Sequence, residues 1–213
     1  MIVQTAYGKV EGFVDDGVRK WLGVPFAKPP VGDLRFRRAQ QPDRWAGIRA
    51  CTKFAPTAIQ FAAPPDAPMS QEASSEDCLY ANIWAPGVGE AEQGSKLPVF
   101  IWIHGGAYHA GSTRNPGYDL TAFARDGIVG VSLAYRLGPL GFYRFDELSD
   151  RFDSNCGFSD IVAGIRWVHE NIAAFGGDPD NITVCGESAG ATMVFCALAS
   201  PACRRAVSCS GPR

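Results

Sequence analysis

Short β-prone runs separated by turn residues make up the first part of the chain. They predict strands at Val3 to Thr5, Lys9 to Val14 and Val18 to Leu22. Two short segments, Tyr7-Gly8 and Asp15-Asp16-Gly17, separate these runs, and both are typical of hairpin turns. The pattern therefore predicts a β-hairpin region at the N-terminal end.

Two proline-rich, irregular segments follow the hairpins, Pro25 to Trp45 and Pro56 to Glu76. The second is dense in Ala, Pro, Ser and Gln, a composition that favours a long surface loop. A disordered linker is the alternative for this segment.

From Leu97 onward, buried strands alternate with helices. Continuous apolar runs predict strands that are covered on both faces. These strands are expected at Val99 to Ile103, Ile128 to Leu133, Asn181 to Cys185 and, as the opening of a further strand, Ala206 to Cys209. Helices are expected around Leu120 to Arg125 and from Ala189 to about Ala199. This alternation indicates an α/β fold with a mostly parallel sheet and helices on both faces.

An amphipathic helix is the clearest single element. Its apolar positions recur at i, i+4, i+7 and i+11, namely Ile161, Ile165, Val168 and Ile172. Asp160 is expected in the first turn, where the helix dipole favours a negative charge, and Gly176-Gly177 is expected to end the helical segment.

Composition and charge indicate which binding partners and which cellular compartment to expect for the protein. The chain is 46% hydrophobic with a net charge of -2, which gives no reason to expect nucleic acid or an anionic membrane as partner. It contains no apolar run of about 18 residues, so no transmembrane helix is predicted. The start at Met1 lacks the features of a secretory signal, which predicts a cytoplasmic protein. The seven cysteines form no C-x-x-C pair, so no metal site and no cofactor are predicted.

The segment Gly186-Glu187-Ser188-Ala189-Gly190 matches the pattern G-x-S-x-G. In this pattern a sharp strand-to-helix turn holds a serine with its hydroxyl exposed at the sheet edge. A predicted strand lies directly before it and a predicted helix directly after it, as that geometry requires. Ser188 is therefore the candidate nucleophile, beside the positive partial charge of a helix N-terminus.

A second motif, His104-Gly105-Gly106-Ala107, follows the predicted strand Val99 to Ile103. Small residues let the backbone turn its N–H groups towards a developing oxyanion. We expect Gly106 and Ala107 to supply these donors, together with the N–H of Ala189. A tight strand-end turn without a catalytic part is the alternative.

These motifs resemble the type B carboxylesterase family, which includes para-nitrobenzyl esterases, mammalian carboxylesterases and cholinesterases. The matching segments are, in chain order, Gly23-Val24-Pro25-Phe26-Ala27 with Pro29-Pro30, Leu34-Arg35-Phe36, Ser75-Glu76-Asp77-Cys78-Leu79-Tyr80, Trp102-Ile103-His104-Gly105-Gly106, Tyr135-Arg136-Leu137-Gly138, Trp167-Val168 with Asn171-Ile172, Phe175-Gly176-Gly177-Asp178-Pro179 and Gly186 to Ala191. The resemblance implies an α/β-hydrolase fold and hydrolysis of small-molecule carboxylic esters through an acyl intermediate on Ser188. Ala107 replaces the usual third glycine of the family, a change that keeps the backbone donor.

The resemblance also implies structural roles. Cys51 and Cys78 match in position a pair that closes a loop at the active-site mouth in secreted relatives, and either a disulfide or two reduced thiols is compatible with the sequence. Arg35 with Glu76, and Arg136 with Asp160, resemble two buried ion pairs of the family.

The general base and the acid of a serine hydrolase are missing from the expected place. In this fold the acid and then the histidine follow the serine, yet residues 189–213 contain no Asp, Glu or His. The three histidines, His104, His109 and His169, all precede Ser188 and are expected to be structural.

From this absence we expect residues 1–213 to be the N-terminal part of a single domain whose C-terminal part is absent, and to be inactive alone. A non-catalytic adhesion or scaffold relative, and a degenerate truncated gene product, are the alternatives.

Overall fold

The computed structural model of the chain describes residues 1–60, 73–87 and 95–201. Its N-terminal strands are β1 (Ile2–Gln4), β2 (Lys9–Glu11), β3 (Phe13–Asp15), β4 (Val18–Pro25) and β5 (Ile48–Ala50). Both predicted hairpins are present, β1 with β2 and β3 with β4. The predicted strand Lys9 to Val14 is divided at Gly12, because β2 pairs with β1 and β5 whereas β3 joins the central sheet.

The second hairpin has the turn that its sequence predicts. Asp15 pairs with Val18, and the two residues between them, Asp16 and Gly17, have φ angles of 52° and 75°. Two successive positive φ angles define the type I′ turn, whose twist matches that of the flanking strands.

The remaining elements follow in chain order. They are β6 (Thr57–Ala58), β7 (Ser74–Ser75), β8 (Tyr80–Ala85), β9 (Leu97–Ile103), α1 (Thr121–Arg125), β10 (Val129–Leu133), α2 (Gly138–Phe142), α3 (Cys156–Asn171), β11 (Gly177–Gly186) and α4 (Ala189–Ala199). Short 3-10 turns lie at Gly32–Leu34, Pro116–Tyr118, Phe145–Glu147 and Ile172–Phe175.

The central sheet has the strand order β11-β9-β10-β8-β4-β3 within the described residues. Strands β11, β9 and β10 are parallel, as predicted, and they form the half that carries the site motifs. The pairs β10–β8, β8–β4 and β4–β3 are antiparallel, so the described sheet is mixed and not mostly parallel.

The difference from the predicted sheet comes from strand β8, which the sequence did not predict and which is antiparallel to both of its neighbours, β10 and β4. Its central position contains a polar residue, Asn82, which interrupts the apolar run. The tertiary structure satisfies this amide: Asn82 accepts the Gly23 N–H at 2.9 Å and donates to Thr113 and Ser132 at 3.1 Å each. A buried amide with these partners is compatible with a central strand.

Helix α3 packs on the sheet through the predicted apolar stripe, and Ile161, Ile165 and Val168 are fully buried. The helix begins at Cys156, so Asp160 does not lie in the first turn as predicted. Its carboxylate is stabilised instead by the guanidinium of Arg136, which contacts it from outside the helix. The contact with Arg136, and not the helix dipole, therefore explains how a buried negative charge is stabilised at Asp160.

The loop Pro56 to Glu76 is described only at its two ends, where β6 pairs with β7. Its middle, residues 61–72, and the predicted strand Ala206 to Cys209 lie outside the described residues. Among the helices of the described part, none is long and apolar enough to span a membrane.

Candidate active site

Ser188 lies at the sharp turn between β11 and α4. The strand ends at Gly186 and the helix begins at Ala189. The backbone of Ser188 has φ 52° and ψ -118°, which is a strained conformation for a residue with a side chain, and the residue is exposed. This is the arrangement that the G-x-S-x-G pattern predicts.

Glycines flank Ser188 because the backbone is crowded at this turn. A Cβ atom on Gly186 would lie 2.6 Å from the carbonyl carbon of Gly190, and one on Gly190 would overlap the carbonyl oxygen of Ile103. The N–H of Glu187 donates to that same Ile103 oxygen at 3.3 Å. The turn is therefore held directly against the end of β9, from which the second motif leaves.

Residues 104–111, which we call the oxyanion loop, contact the turn at Ser188. A Cβ atom on Gly105 would lie 2.8 Å from the carbonyl oxygen of Glu187 and 3.1 Å from the Cβ of Ser188, so the Gly105 backbone packs closely against this turn. Gly106 has φ 114°, and a Cβ there would overlap the carbonyl oxygen of Ala110. Within the described residues, the N–H groups of Gly106 and Ala107 have no hydrogen-bond acceptor, which is compatible with their expected role as oxyanion donors.

His104 is buried beneath the oxyanion loop and contacts its backbone. Its ring stacks on Tyr135 with centroids 4.4 Å apart, and the Tyr135 hydroxyl donates to the His104 carbonyl oxygen at 2.8 Å. The ring Nδ1 lies 2.8 Å from the carbonyl oxygen of Gly105, which only accepts, so Nδ1 carries the proton. Burial lowers the pKa of His104 to about 4, despite the opposing effects of the Gly105 carbonyl and Glu187. A neutral ring with these contacts is a structural element of the loop.

The other two histidines lie elsewhere. His109 is exposed in the oxyanion loop, and His169 is half-buried in the last turn of α3. Within the described residues, the side chain that hydrogen-bonds to Ser188 is that of Thr192, which donates to its carbonyl oxygen, so neither histidine ring is bonded to the serine.

Sequence reasoning missed two side chains that contact the site. The hydroxyl of Tyr118 donates to the carboxylate of Glu187, the residue before Ser188, at 2.7 Å. Burial together with this bond raises the pKa of Tyr118 to about 12. Gln60 binds the backbone of Gly111 in the oxyanion loop. No sequence pattern indicated either residue, because each belongs to an irregular segment.

Both ion pairs expected from the resemblance are present, but they differ in burial. Arg136 binds Asp160 through two nitrogens, at 2.8 and 2.6 Å, and both side chains are almost completely buried. Arg35 binds Glu76 at 2.8 Å, yet 44% of the Arg35 side chain is exposed. The second pair is therefore a partly exposed contact and not a buried one, because Arg35 lies in an irregular surface segment.

The two cysteines expected near the loop are both free thiols, so the disulfide alternative is not what the structure shows. Cys51 is held beside β4, where its thiol contacts the Gly23 carbonyl oxygen at 3.7 Å, whereas Cys78 lies near Arg136 and Asp160. The pairing of β6 with β7 closes the base of the loop without a covalent link. Burial raises the pKa of Cys51 to about 11 and raises that of Cys78 as well, which keeps both thiols protonated.

Comparison with solved structures defines the class of fold. A PNB esterase matches with a TM-score of 0.87 and 43% sequence identity, over 96% of this chain and 41% of that one. A carboxylesterase of Geobacillus stearothermophilus matches with a TM-score of 0.86 and 44% identity, over 96% of this chain and 42% of that one. The chain therefore has the α/β-hydrolase fold expected from its sequence.

The sequence places the chain more narrowly: it belongs to the carboxylesterase family, whose family model matches residues 1–212. The para-nitrobenzyl esterase of Bacillus subtilis is 42% identical over 95% of this chain and 41% of its own length. The phenmedipham hydrolase of Pseudarthrobacter oxydans is 41% identical over 96% of this chain and 41% of its own length. The chain thus spans about two fifths of the length of these relatives.

Proposed function

We propose that this chain supplies the nucleophile and the oxyanion hole of an enzyme that hydrolyses small-molecule carboxylic esters. The observation that carries the proposal is the contact between Ser188, in its strained strand-to-helix turn, and the Gly105 backbone of the oxyanion loop. Relatives with esterase and hydrolase names, and the family match, support the same activity.

The proposed reaction is a two-step acyl transfer. The Ser188 Oγ attacks the ester carbonyl carbon, and its proton passes to a general base. The N–H groups of Gly106, Ala107 and Ala189 stabilise the negative oxygen of the tetrahedral intermediate. The alcohol leaves with a proton, and water then releases the carboxylic acid from the acyl-serine.

The general base and its acidic partner are proposed to come from sequence beyond these 213 residues. Residues 189–213 contain no Asp, Glu or His, and His104 of the oxyanion loop is buried and neutral. Residues 1–213 would then be the N-terminal part of a single α/β-hydrolase domain. The 213-residue chain alone would keep only the modest acceleration that an oxyanion hole provides.

The test uses p-nitrophenyl butyrate turnover and a fluorophosphonate that labels nucleophilic serines. We expect negligible turnover by the 213-residue chain, and slow formation of one phosphonyl adduct, which mass spectrometry assigns to Ser188. In the 213-residue chain, Ser188→Ala should remove the adduct. In a protein extended beyond Arg213 by its natural downstream sequence, the same substitution should lower turnover by about three orders of magnitude or more.

Two results would contradict the proposal in different ways. An adduct that persists in Ser188→Ala would exclude Ser188 as the nucleophile. Labelling of the 213-residue chain at the rate of an intact esterase would show that the base is already present.

A further inference from the structure

The oxyanion loop contains more backbone strain than the turn at Ser188. Gly106 and Gly111 have φ angles of 114° and 118°, and two residues with side chains, Ala107 and Tyr108, have φ angles of 51° and 66°. Left-handed conformations of residues with a Cβ persist only where the surrounding structure fixes them. Contacts from outside the loop must therefore hold it in place.

One such contact comes from the side chain of Gln60. Its Nε2 donates to the carbonyl oxygen of Gly111 at 3.0 Å, and its Oε1 accepts the N–H of Gly111 at 3.0 Å. Nε2 also donates to the carbonyl oxygen of Ala58 in β6 at 3.2 Å, which fixes the orientation of the amide. One amide thus binds both backbone groups of a single loop residue.

Gly111 in turn packs closely against the second motif, His104 to Ala107. A Cβ atom at Gly111 would overlap the carbonyl oxygen of Gly105 and the Nδ1 of His104, and would lie 2.8 Å from the Cε1 of that ring. Gly105 is the residue whose backbone contacts Ser188. A continuous series of contacts therefore leads from Gln60 through Gly111 to the nucleophile.

We infer that Gln60 is a positioning residue for the oxyanion hole, which acts by holding Gly111, and through it His104 and Gly105, against Ser188. This inference rests on the proposed function, since it names a further residue for that same site. Gln60 itself does not contact the reacting atoms. Its effect is to keep the N–H groups of Gly106 and Ala107 directed where the oxyanion forms.

Hydrogen exchange tests whether Gln60 holds the loop. In the 213-residue chain, Gln60→Ala should speed exchange of the amides in residues 105–111 about ten-fold, because two hydrogen bonds are lost. Gln60→Glu can still accept the Gly111 N–H, but its carboxylate cannot donate and repels the carbonyl oxygens of Gly111 and Ala58, so its effect should be at least as large as that of Gln60→Ala. Gln41→Ala, an exposed glutamine in a surface segment, is the matched control and should change nothing.

Phosphonylation of Ser188 tests whether this hold matters for the reaction. Attack by the Ser188 Oγ forms an O–P bond and breaks the P–F bond. Fluoride leaves, the hydroxyl proton passes to water, and the phosphoryl oxygen occupies the oxyanion hole. We expect Gln60→Ala to slow adduct formation about ten-fold relative to Gln41→Ala when both variants are fully folded, which urea unfolding curves check. Gln60→Glu should slow adduct formation at least as much.

Each outcome decides the matter. Unchanged exchange in residues 105–111 would overturn the inference, as would faster exchange with a normal labelling rate. If the labelling rate of Gln60→Ala fell only in proportion to the fraction of folded protein, the role of Gln60 would be purely structural. That result would also overturn the inference. If Gln60→Ala does not fold, the Gln60→Glu variant decides by the same two measurements. If wild-type Ser188 forms no adduct, the proposed function fails, and the exchange data alone decide whether Gln60 holds the loop.

Discussion

At the scale of single residues, burial determines what His104 can do. The ring is enclosed between Tyr135 and the backbone of the oxyanion loop, and the Gly105 carbonyl oxygen accepts from its Nδ1. Loss of solvation lowers its pKa to about 4, which keeps the imidazole neutral at physiological pH. A neutral histidine with a fixed tautomer serves as a rigid support for the loop.

This burial predicts a dependence of stability on pH. The folded state binds a proton on His104 near pH 4, whereas the unfolded state binds one near the ordinary value of 6.5. Between these values the unfolded state holds more protons, so the free energy of unfolding should fall as the pH falls below 6.5. The slope contributed by this group is at most about 1.4 kcal/mol per pH unit, and it should flatten near pH 4.

Urea unfolding at pH 7.0, 6.0 and 5.0 measures this slope while most carboxylates remain ionised. His104→Gln should remove the contribution, although it also loses the stacking on Tyr135. His109→Gln changes an exposed histidine and should leave the slope intact. An equal slope in His104→Gln and in the wild type would show that His104 is not the titrating group.

At the scale of elements, the turn from β11 to α4 is shaped by backbone crowding. The glycine pattern around Ser188 reflects contacts with β9, since a side chain at Gly190 would overlap the Ile103 carbonyl oxygen. The strand, the turn and the helix are local features, and the sequence predicted all three. The contact with β9 joins residues that are far apart in the chain, and the folded structure reveals it.

The turn predicts the effect of adding one methyl group. Gly190→Ala should destabilise the protein by about 1 to 3 kcal/mol, because the methyl group meets backbone and cannot be accommodated by a rotamer change. It should also slow phosphonylation of Ser188, since α4 must move away from β9. Gly117→Ala is the matched control, because the nearest atom to its new Cβ would lie at 3.4 Å, an ordinary contact.

Urea midpoints and adduct rates of the two alanine variants check this prediction. Equal stability and equal labelling of Gly190→Ala and Gly117→Ala would mean that the helix can shift without disturbing the nucleophile.

At the scale of the whole molecule, Arg136 joins segments that are distant in sequence. Besides Asp160 of α3, its guanidinium donates to the carbonyl oxygens of Arg35 and Arg37 at 2.9 Å each. The irregular N-terminal segment is therefore fixed to the helix that packs on the sheet. A guanidinium can do this because it has five donors in one rigid plane.

The two ion pairs should differ greatly in their effect on stability. Arg136→Met leaves the buried carboxylate of Asp160 without its charged partner, although the backbone N–H of residue 136 still donates to it, and should cost about 3 to 5 kcal/mol. Arg35→Ala removes a partly exposed, solvent-screened pair and should cost far less. Urea unfolding measures both, and the double variant Arg136→Met with Asp160→Leu should recover part of the loss. A similar cost for the two single variants would contradict the assignment of burial.

The sequence by itself determined the local elements of this protein and the position of its candidate nucleophile. Three features show this: the turn at Asp16-Gly17, the apolar stripe of α3 and the turn at Ser188. Each depends on the φ preferences or the hydrophobic spacing of residues that are neighbours in the chain, and the sequence alone shows both properties. Family resemblance added both ion pairs and the fold.

Only the tertiary structure decided the remaining features. The antiparallel strand β8, the partial exposure of Arg35, the reduced thiols of Cys51 and Cys78, and the bonds from Gln60 to Gly111 all depend on residues that are distant along the chain. A buried amide, a guanidinium or a thiol takes its state from the partners that folding brings to it. No spacing or composition along the chain specifies those partners, so these features required the folded molecule.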